Sequence, residues 1–207
     1  MNEKTLWYIA DPMCSWCWGF SPVIEAIRCE YGVRLKMELL LGGLRPGTKE
    51  PMPSTQREAI LRHWQAVHRL TGQPFRFEGA MPSGFIYDTE PASRGVVAAS
   101  IINSDTVFPF FKAVQSAFYI EQQDVTTAVV LTRLAADTGL DAHHFLQVFE
   151  SDIARSQTLG HFQEARQWGV HGFPAVIMQD ATGCRVLTGG YRPLEELRLK
   201  LDNWLKG

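Results

Sequence analysis

Strand signals occur at both ends of this chain and nowhere between them, and that gap limits the available folds more than any other feature. Residues 5–10 are β-rich and stop at Asp11-Pro12. Cys14-Ser15-Trp16-Cys17 follows, then a segment to Tyr31 with Phe20, Val23, Ile24 and Ile27 at helical spacing. Residues 33–41 alternate and then become continuously apolar, as in a strand buried on both faces. Gly42-Gly43-Leu44-Arg45-Pro46-Gly47 breaks this β-α-β unit. From there to about residue 150 only helical patterns appear, over 54–70, 91–102, 107–120, 126–138 and 141–149. A helix over 153–168 then leads to strands over 175–178 and 185–187 and a last helix over 194–205, with Pro193 suited to its start. If the two ends pair, the fold class is α/β: a mixed sheet with flanking helices and a large all-helical insertion. Residues 1–47 and 150–207 then make the sheet domain, and 48–149 the inserted one.

At 207 residues and 45% hydrophobic, the chain suits one domain carrying an insertion rather than two independent ones. Its 22 acidic and 20 basic residues are dispersed and leave a formal charge of -2, so no nucleic-acid partner is expected. No apolar run approaches the roughly 18 residues a membrane-crossing helix requires, so no membrane partner is expected either. The start, Met-Asn-Glu-Lys, has neither a basic leader nor a long apolar stretch, and the chain reads as cytoplasmic. Oligomeric state is not assigned.

Of the four cysteines, at 14, 17, 29 and 184, two stand where a strand hands over to a helix. A thiol at a helix N-terminus meets unpaired N–H groups and the positive end of the helix dipole, which favour the thiolate. Cys17 lies one turn behind Cys14, within reach of its sulfur, and can resolve a mixed disulfide. A lone C-x-x-C can also be half a metal site or two core cysteines. Neither Cys29 nor Cys184 belongs to a second such pair, so no metal is expected, and the β-α-β context favours redox chemistry.

Cys14-Ser15-Trp16-Cys17 after a first strand, a helical insertion of roughly a hundred residues, and Gly172-Phe173-Pro174 before a late strand resemble the DsbA-like branch of the thioredoxin superfamily. The stretch from Asp11 to Phe20 is similar to its cytoplasmic members described as predicted protein-disulfide isomerases. The resemblance implies a thioredoxin-like sheet with Cys14 as nucleophile, Cys17 as resolving thiol and Pro174 as a cis-proline facing them. It also implies thiol–disulfide exchange with disulfide-containing proteins or small-molecule thiols, no bound cofactor, and glutathione or another thiol reductant as co-substrate. Many relatives carry a buried acid six positions before the first cysteine. Here that position is Tyr8, and the nearest carboxylate is Asp11.

Asp11 reads as a turn residue before Pro12 or as part of a proton relay. Trp16 is either a substrate contact or packing, and Phe173 would offer its backbone to an extended substrate. His171, three residues before Pro174, either approaches the thiolate or is a loop residue. The Gly42-Gly43 loop either offers amides to a ligand carboxylate or is a crossover. Cys29, sharing a helix with Ile24 and Ile27, reads as a buried small hydrophobe. Two other functions compete with the oxidoreductase: a glutathione-dependent transferase or isomerase of the kappa-class or chromene-carboxylate type, and a non-catalytic thiol- or metal-binding module.

Overall fold

The computed structural model describes residues 4–206; the first three, which carry part of the leaderless reading, lie outside them. Strands β1 (Thr5–Ala10), β2 (Lys36–Leu41), β3 (Ala175–Asp180) and β4 (Gly183–Gly189) form one sheet in the order β2-β1-β3-β4. β1 is parallel to β2 and antiparallel to β3, and β3 is antiparallel to β4. The ends of the chain therefore do pair, and β1, the strand leading to the cysteines, sits in the interior of the sheet. Tyr8 is opposite Leu39 on one side and Val176 on the other, so β1 is held in register from both flanks.

Helix α1 (Ser15–Tyr31) runs from the cysteine motif along one face of the sheet. The inserted helices are α2 (Ser54–Thr71), α3 (Glu90–Ile102), α4 (Val107–Tyr119), α5 (Ala128–Asp137) and α6 (Ala142–Glu150); α7 (Asp152–Gln167) leads back to β3, and α8 (Leu194–Lys206) closes the fold. Local chemistry sets several ends. The Asp141 carboxylate accepts from the His144 N–H at 2.7 Å and starts α6, and Ser151 caps α7 at the Ala154 N–H. Arg94, buried in α3, is bound by Glu90 at 2.8 Å and by the Phe149 carbonyl at 2.7 Å, which ties the start of α3 to the end of α6.

Two expectations fail here. β2 starts at Lys36, not at residue 33, because the Arg34 and Leu35 amides both turn back to the Tyr31 carbonyl and leave Val33 fully exposed. Cys29 is exposed. It lies two residues past the buried Ile27, about 200° around the helix, and so points away from the sheet.

The strand alternation sorts the core into two layers. Leu6, Tyr8, Ala10, Leu39, Leu41, Val176 and Met178 face α1, α8 and the inserted helices. Ile9, Leu40, Ala175 and Ile177 face the other way, onto Ala165 of α7. Among the described residues, no helix is long and apolar enough to cross a membrane.

Candidate active site

Asp11, Pro12 and Met13 carry the chain from β1 into α1, and this short turn sets where each cysteine falls. The Cys14 N–H donates to the Asp11 carbonyl at 3.1 Å, and the Cys14 carbonyl accepts the first helical bond from Trp18 at 3.0 Å. Cys14 is thus the N-cap of α1, with extended backbone and without a capping side chain in front of it. Its side chain reaches the surface only narrowly, at 5% exposure, whereas Cys17, one turn on, is at 0%. Burial pushes the Cys17 thiol well above its ordinary pKa. The neighbouring Cys14 and the Asp11 charge add to this rise, and the Asp11 backbone N–H opposes it. One thiol is presented at a helix terminus and the other is kept neutral beneath it.

The loop before β3 meets this turn from the other end of the chain. The Phe173–Pro174 peptide bond is cis, and the Cys14 thiol lies 3.6 Å from the Phe173 carbonyl oxygen, which accepts from it. Trp16 is half-buried, with its ring 6.3 Å from that of Tyr191 beyond β4. His171 stands apart: it is exposed and lines a cleft of about 390 Å3 on the α7 side with Trp168, Val170, Ala175 and Ile177. No hydrogen bond or ion pair joins it to either cysteine. Among the described residues, no three His, Cys, Asp or Glu side chains stand together as metal ligands would.

Asp11 is fully buried and holds more than the turn. Its carboxylate accepts from the Met13 N–H at 2.8 Å and from the Leu44 N–H at 2.7 Å, and the Thr89 hydroxyl, which accepts from the Arg45 N–H at 3.0 Å, stands beside it just before α3. Burial outweighs these bonds and raises its pKa from 3.8 to about 6. Tyr8, in the position where many relatives carry an acid, is buried and donates to the Cys17 carbonyl at 3.5 Å. Desolvation, with the two cysteines adding, lifts its pKa well above 10, so it is a neutral phenol. Tyr87 donates a short hydrogen bond to the Met13 carbonyl. Beside it the Tyr119 hydroxyl is buried without a hydrogen-bond partner, and its ring is stacked on Trp18 at 6.0 Å.

Leu44, Tyr87 and Thr89 were not visible as site residues in the sequence. Thr89 before Glu90-Pro91 signals a helix start, but nothing local aims its side chain at Asp11. Two amides of the Gly42-Gly43-Leu44 segment are already in use. The Gly42 N–H is spent on the Ala10 carbonyl at 2.8 Å, and the Leu44 N–H on Asp11.

Residues 6–201 match the DSBA-like thioredoxin domain. The chain belongs to that family. It is therefore one of the DsbA-like thiol–disulfide oxidoreductases, whose fold accounts for the sheet, the insertion and the facing motif and loop. A crystal structure of a candidate protein disulfide isomerase from Nitrosomonas europaea is 52% identical, with a TM-score of 0.93 over 99% of this chain and 98% of that one. The cytosolic disulfide reductase DsbM from Pseudomonas aeruginosa is 27% identical, with a TM-score of 0.82 over 98% of each chain. DsbM has also been solved with GSH. More distantly, the ClpXP adapter protein SpxH of Halalkalibacterium halodurans is 23% identical over 95% of this chain and 71% of its own length, and the Shouchella clausii counterpart is covered over 55%.

Proposed function

We propose that the chain reduces or rearranges disulfides through Cys14 and Cys17, in the cytoplasm, with peptides or small-molecule disulfides as substrates and glutathione or a similar thiol as reductant. The asymmetry of the two thiols carries this reading: Cys14 caps α1 beside the Phe173 carbonyl with a narrow opening to the surface, and Cys17 is fully buried and neutral one turn behind. The Cys14 thiolate attacks one sulfur of a substrate disulfide, forms a mixed disulfide and expels the other sulfur as thiolate, which takes a proton from water. Cys17 then gives up its proton and attacks the Cys14 sulfur. The Cys14–Cys17 bond closes and the second substrate thiolate leaves. The substrate has gained two electrons, and two thiols of the reductant return them to the enzyme as their own disulfide forms.

Asp11 receives the Cys17 proton. Its pKa of about 6 lets the carboxylate accept near neutrality, and its charge and backbone already act on Cys17. Phe173 pairs its backbone with the substrate chain next to the reacting sulfur, and the half-exposed Trp16 ring borders that chain.

The test is a trap. Cys14→Ser should abolish insulin-type disulfide reduction. Cys17→Ser should still attack and then accumulate substrate or glutathione adducts on Cys14, read by mass spectrometry. A Cys17→Ser protein that turns over fully and carries no adduct would favour a one-thiol, glutathione-transferase type of chemistry instead.

A further inference from the structure

Gly42 directly follows β2 and has no room for a side chain: a Cβ there would lie 2.0 Å from two carbons of the Phe173 ring. At Gly43, where φ is +68°, it would lie 2.8 Å from the ring of Phe162 in α7. The two glycines form a bare slot that takes one aromatic ring from the loop before β3 and one from α7. The slot is anchored to the site from behind, because the Gly42 N–H bonds the Ala10 carbonyl and the Leu44 N–H bonds the Asp11 carboxylate. Phe173 is therefore gripped at two points. Its ring rests on the Gly42 backbone, and its carbonyl oxygen stands 3.6 Å from the Cys14 sulfur.

We infer that Gly42 is a positioning residue: the absence of a side chain at residue 42 seats the Phe173 ring and thereby aims the Phe173 backbone at the chain carrying the disulfide that Cys14 attacks. The inference rests on the exchange reading above and goes beyond it by assigning substrate pairing to a residue that touches neither sulfur. A methyl at residue 42 displaces the far edge of a half-buried ring, which the fold can absorb. The backbone of residue 173 moves with it. A small electrophile needs only the Cys14 sulfur and is unaffected by that shift, whereas an extended peptide loses a backbone hydrogen bond, a loss of roughly fivefold in affinity.

The experiment compares wild type, Gly42→Ala and Gly42→Ala/Phe173→Leu. The double change adds a methyl on one side of the slot and removes about as much from the other, so it nearly conserves volume. Expected for folded Gly42→Ala are a roughly fivefold rise in KM for a peptide disulfide, an unchanged kcat, and an unchanged rate of Cys14 alkylation by iodoacetamide. The double variant should recover most of the KM. An unchanged KM in Gly42→Ala, an alkylation rate that changes as much as KM, or no recovery in the double variant would each overturn the inference. If wild type fails to turn over any peptide disulfide, the exchange reading itself has failed. The slot is then judged by a crystal structure of Gly42→Ala, where a Phe173 carbonyl still 3.6 Å from the Cys14 sulfur removes it.

Discussion

The two faces of the central sheet are built from the same strands and differ sharply in what they bury. On the α7 side Ile9, Leu40, Ala175 and Ile177 meet Ala165, and Trp7 packs edge-on to Trp168 at 5.1 Å. On the α1 side the same strands back the larger apolar core, Leu6, Leu39, Val176 and Met178 among it, but at the end of β1 this face also holds a polar cluster: Tyr8, Asp11, Cys17, Tyr87 and Tyr119 are all buried within reach of one turn. A buried polar group that is imperfectly satisfied costs about 1–3 kcal/mol. The fold bears part of that cost at the end of β1, beside the two thiols, and part among the inserted helices, where Trp64 Nε1 and Gln115 Nε2 are also buried without a partner. A protein selected for stability alone would have little reason to hold a carboxylate with a raised pKa and an unpartnered phenol beside two thiols. The polar face is where function is concentrated, and the apolar face holds it up.

The widest separation between the faces should come from one substitution on each. Cys14→Ser, on the polar face, should remove all measurable disulfide reductase activity and leave the thermal midpoint nearly unchanged, because serine differs by a single atom and its hydroxyl can keep the hydrogen bond to the Phe173 carbonyl. Ile177→Ala, on the apolar face, should lower unfolding free energy by about 2–5 kcal/mol and leave turnover per folded molecule intact. Denaturant titration alongside an activity assay reads both. A large activity loss in folded Ile177→Ala would break the division of labour.

The next effect concerns pH. Asp11 has its pKa raised from 3.8 to about 6 in the fold, so between those values the folded protein holds a proton that the unfolded chain has lost. Stability contributed by this residue therefore falls as pH rises through that window, by about 3 kcal/mol, and is level above it. His161 acts in the opposite sense. Burial lowers its pKa, and its ring accepts from the Leu41 N–H, so the fold loses stability as pH drops below 6.5 and the unfolded chain takes up a proton. Taking the difference between wild type and Asp11→Asn cancels the histidine. That difference should shift against wild type by about 3 kcal/mol from pH 4 to pH 7, and a flat difference would show that the carboxylate does not titrate in this range. Tyr87→Phe should have a smaller effect, about 1–2 kcal/mol, since it leaves the Met13 carbonyl without its donor.

The apolar face was largely legible in the sequence, and the polar one only in part. The β-rich run over 5–10, the alternation over 33–41, the helical spacings and the Gly and Pro breaks place the strands and helices to within a residue or two at most ends, because each signal is local. It was the family resemblance, not a local signal, that brought Cys14, Cys17 and the Phe173-Pro174 pair together. What surrounds them could not be read from either. Asp11 is completed by the Leu44 amide and by Thr89, and Met13 by Tyr87, contacts that span 33 to 78 residues of chain. A backbone amide has no identity in a sequence. The glycines at 42 and 43 were visible, but their reason was not: a missing side chain has meaning only once the ring that fills its place is known.

The smallest effect tests whether the division between the faces extends to the one titratable residue shared by the sequence reading and the cleft. His171 is close to Pro174 in sequence, which is why a role beside the thiolate could be entertained. In the fold it is exposed and lines the cleft with Trp168 and Ile177, on the side where the interior is apolar. A histidine that stabilised the Cys14 thiolate would need to stand within a few ångströms of it and would be felt in turnover by a factor of 10 or more. An exposed loop side chain without partners should instead behave as an ordinary surface position, where substitutions change stability by less than about 0.5 kcal/mol. His171→Ala should thus keep turnover within about twofold and leave the denaturant midpoint where it is. A tenfold drop in folded His171→Ala would mean that the loop rearranges to carry the ring across the edge of the sheet when substrate binds. The polar site would then extend onto the cleft side, and the two faces would no longer divide chemistry from support.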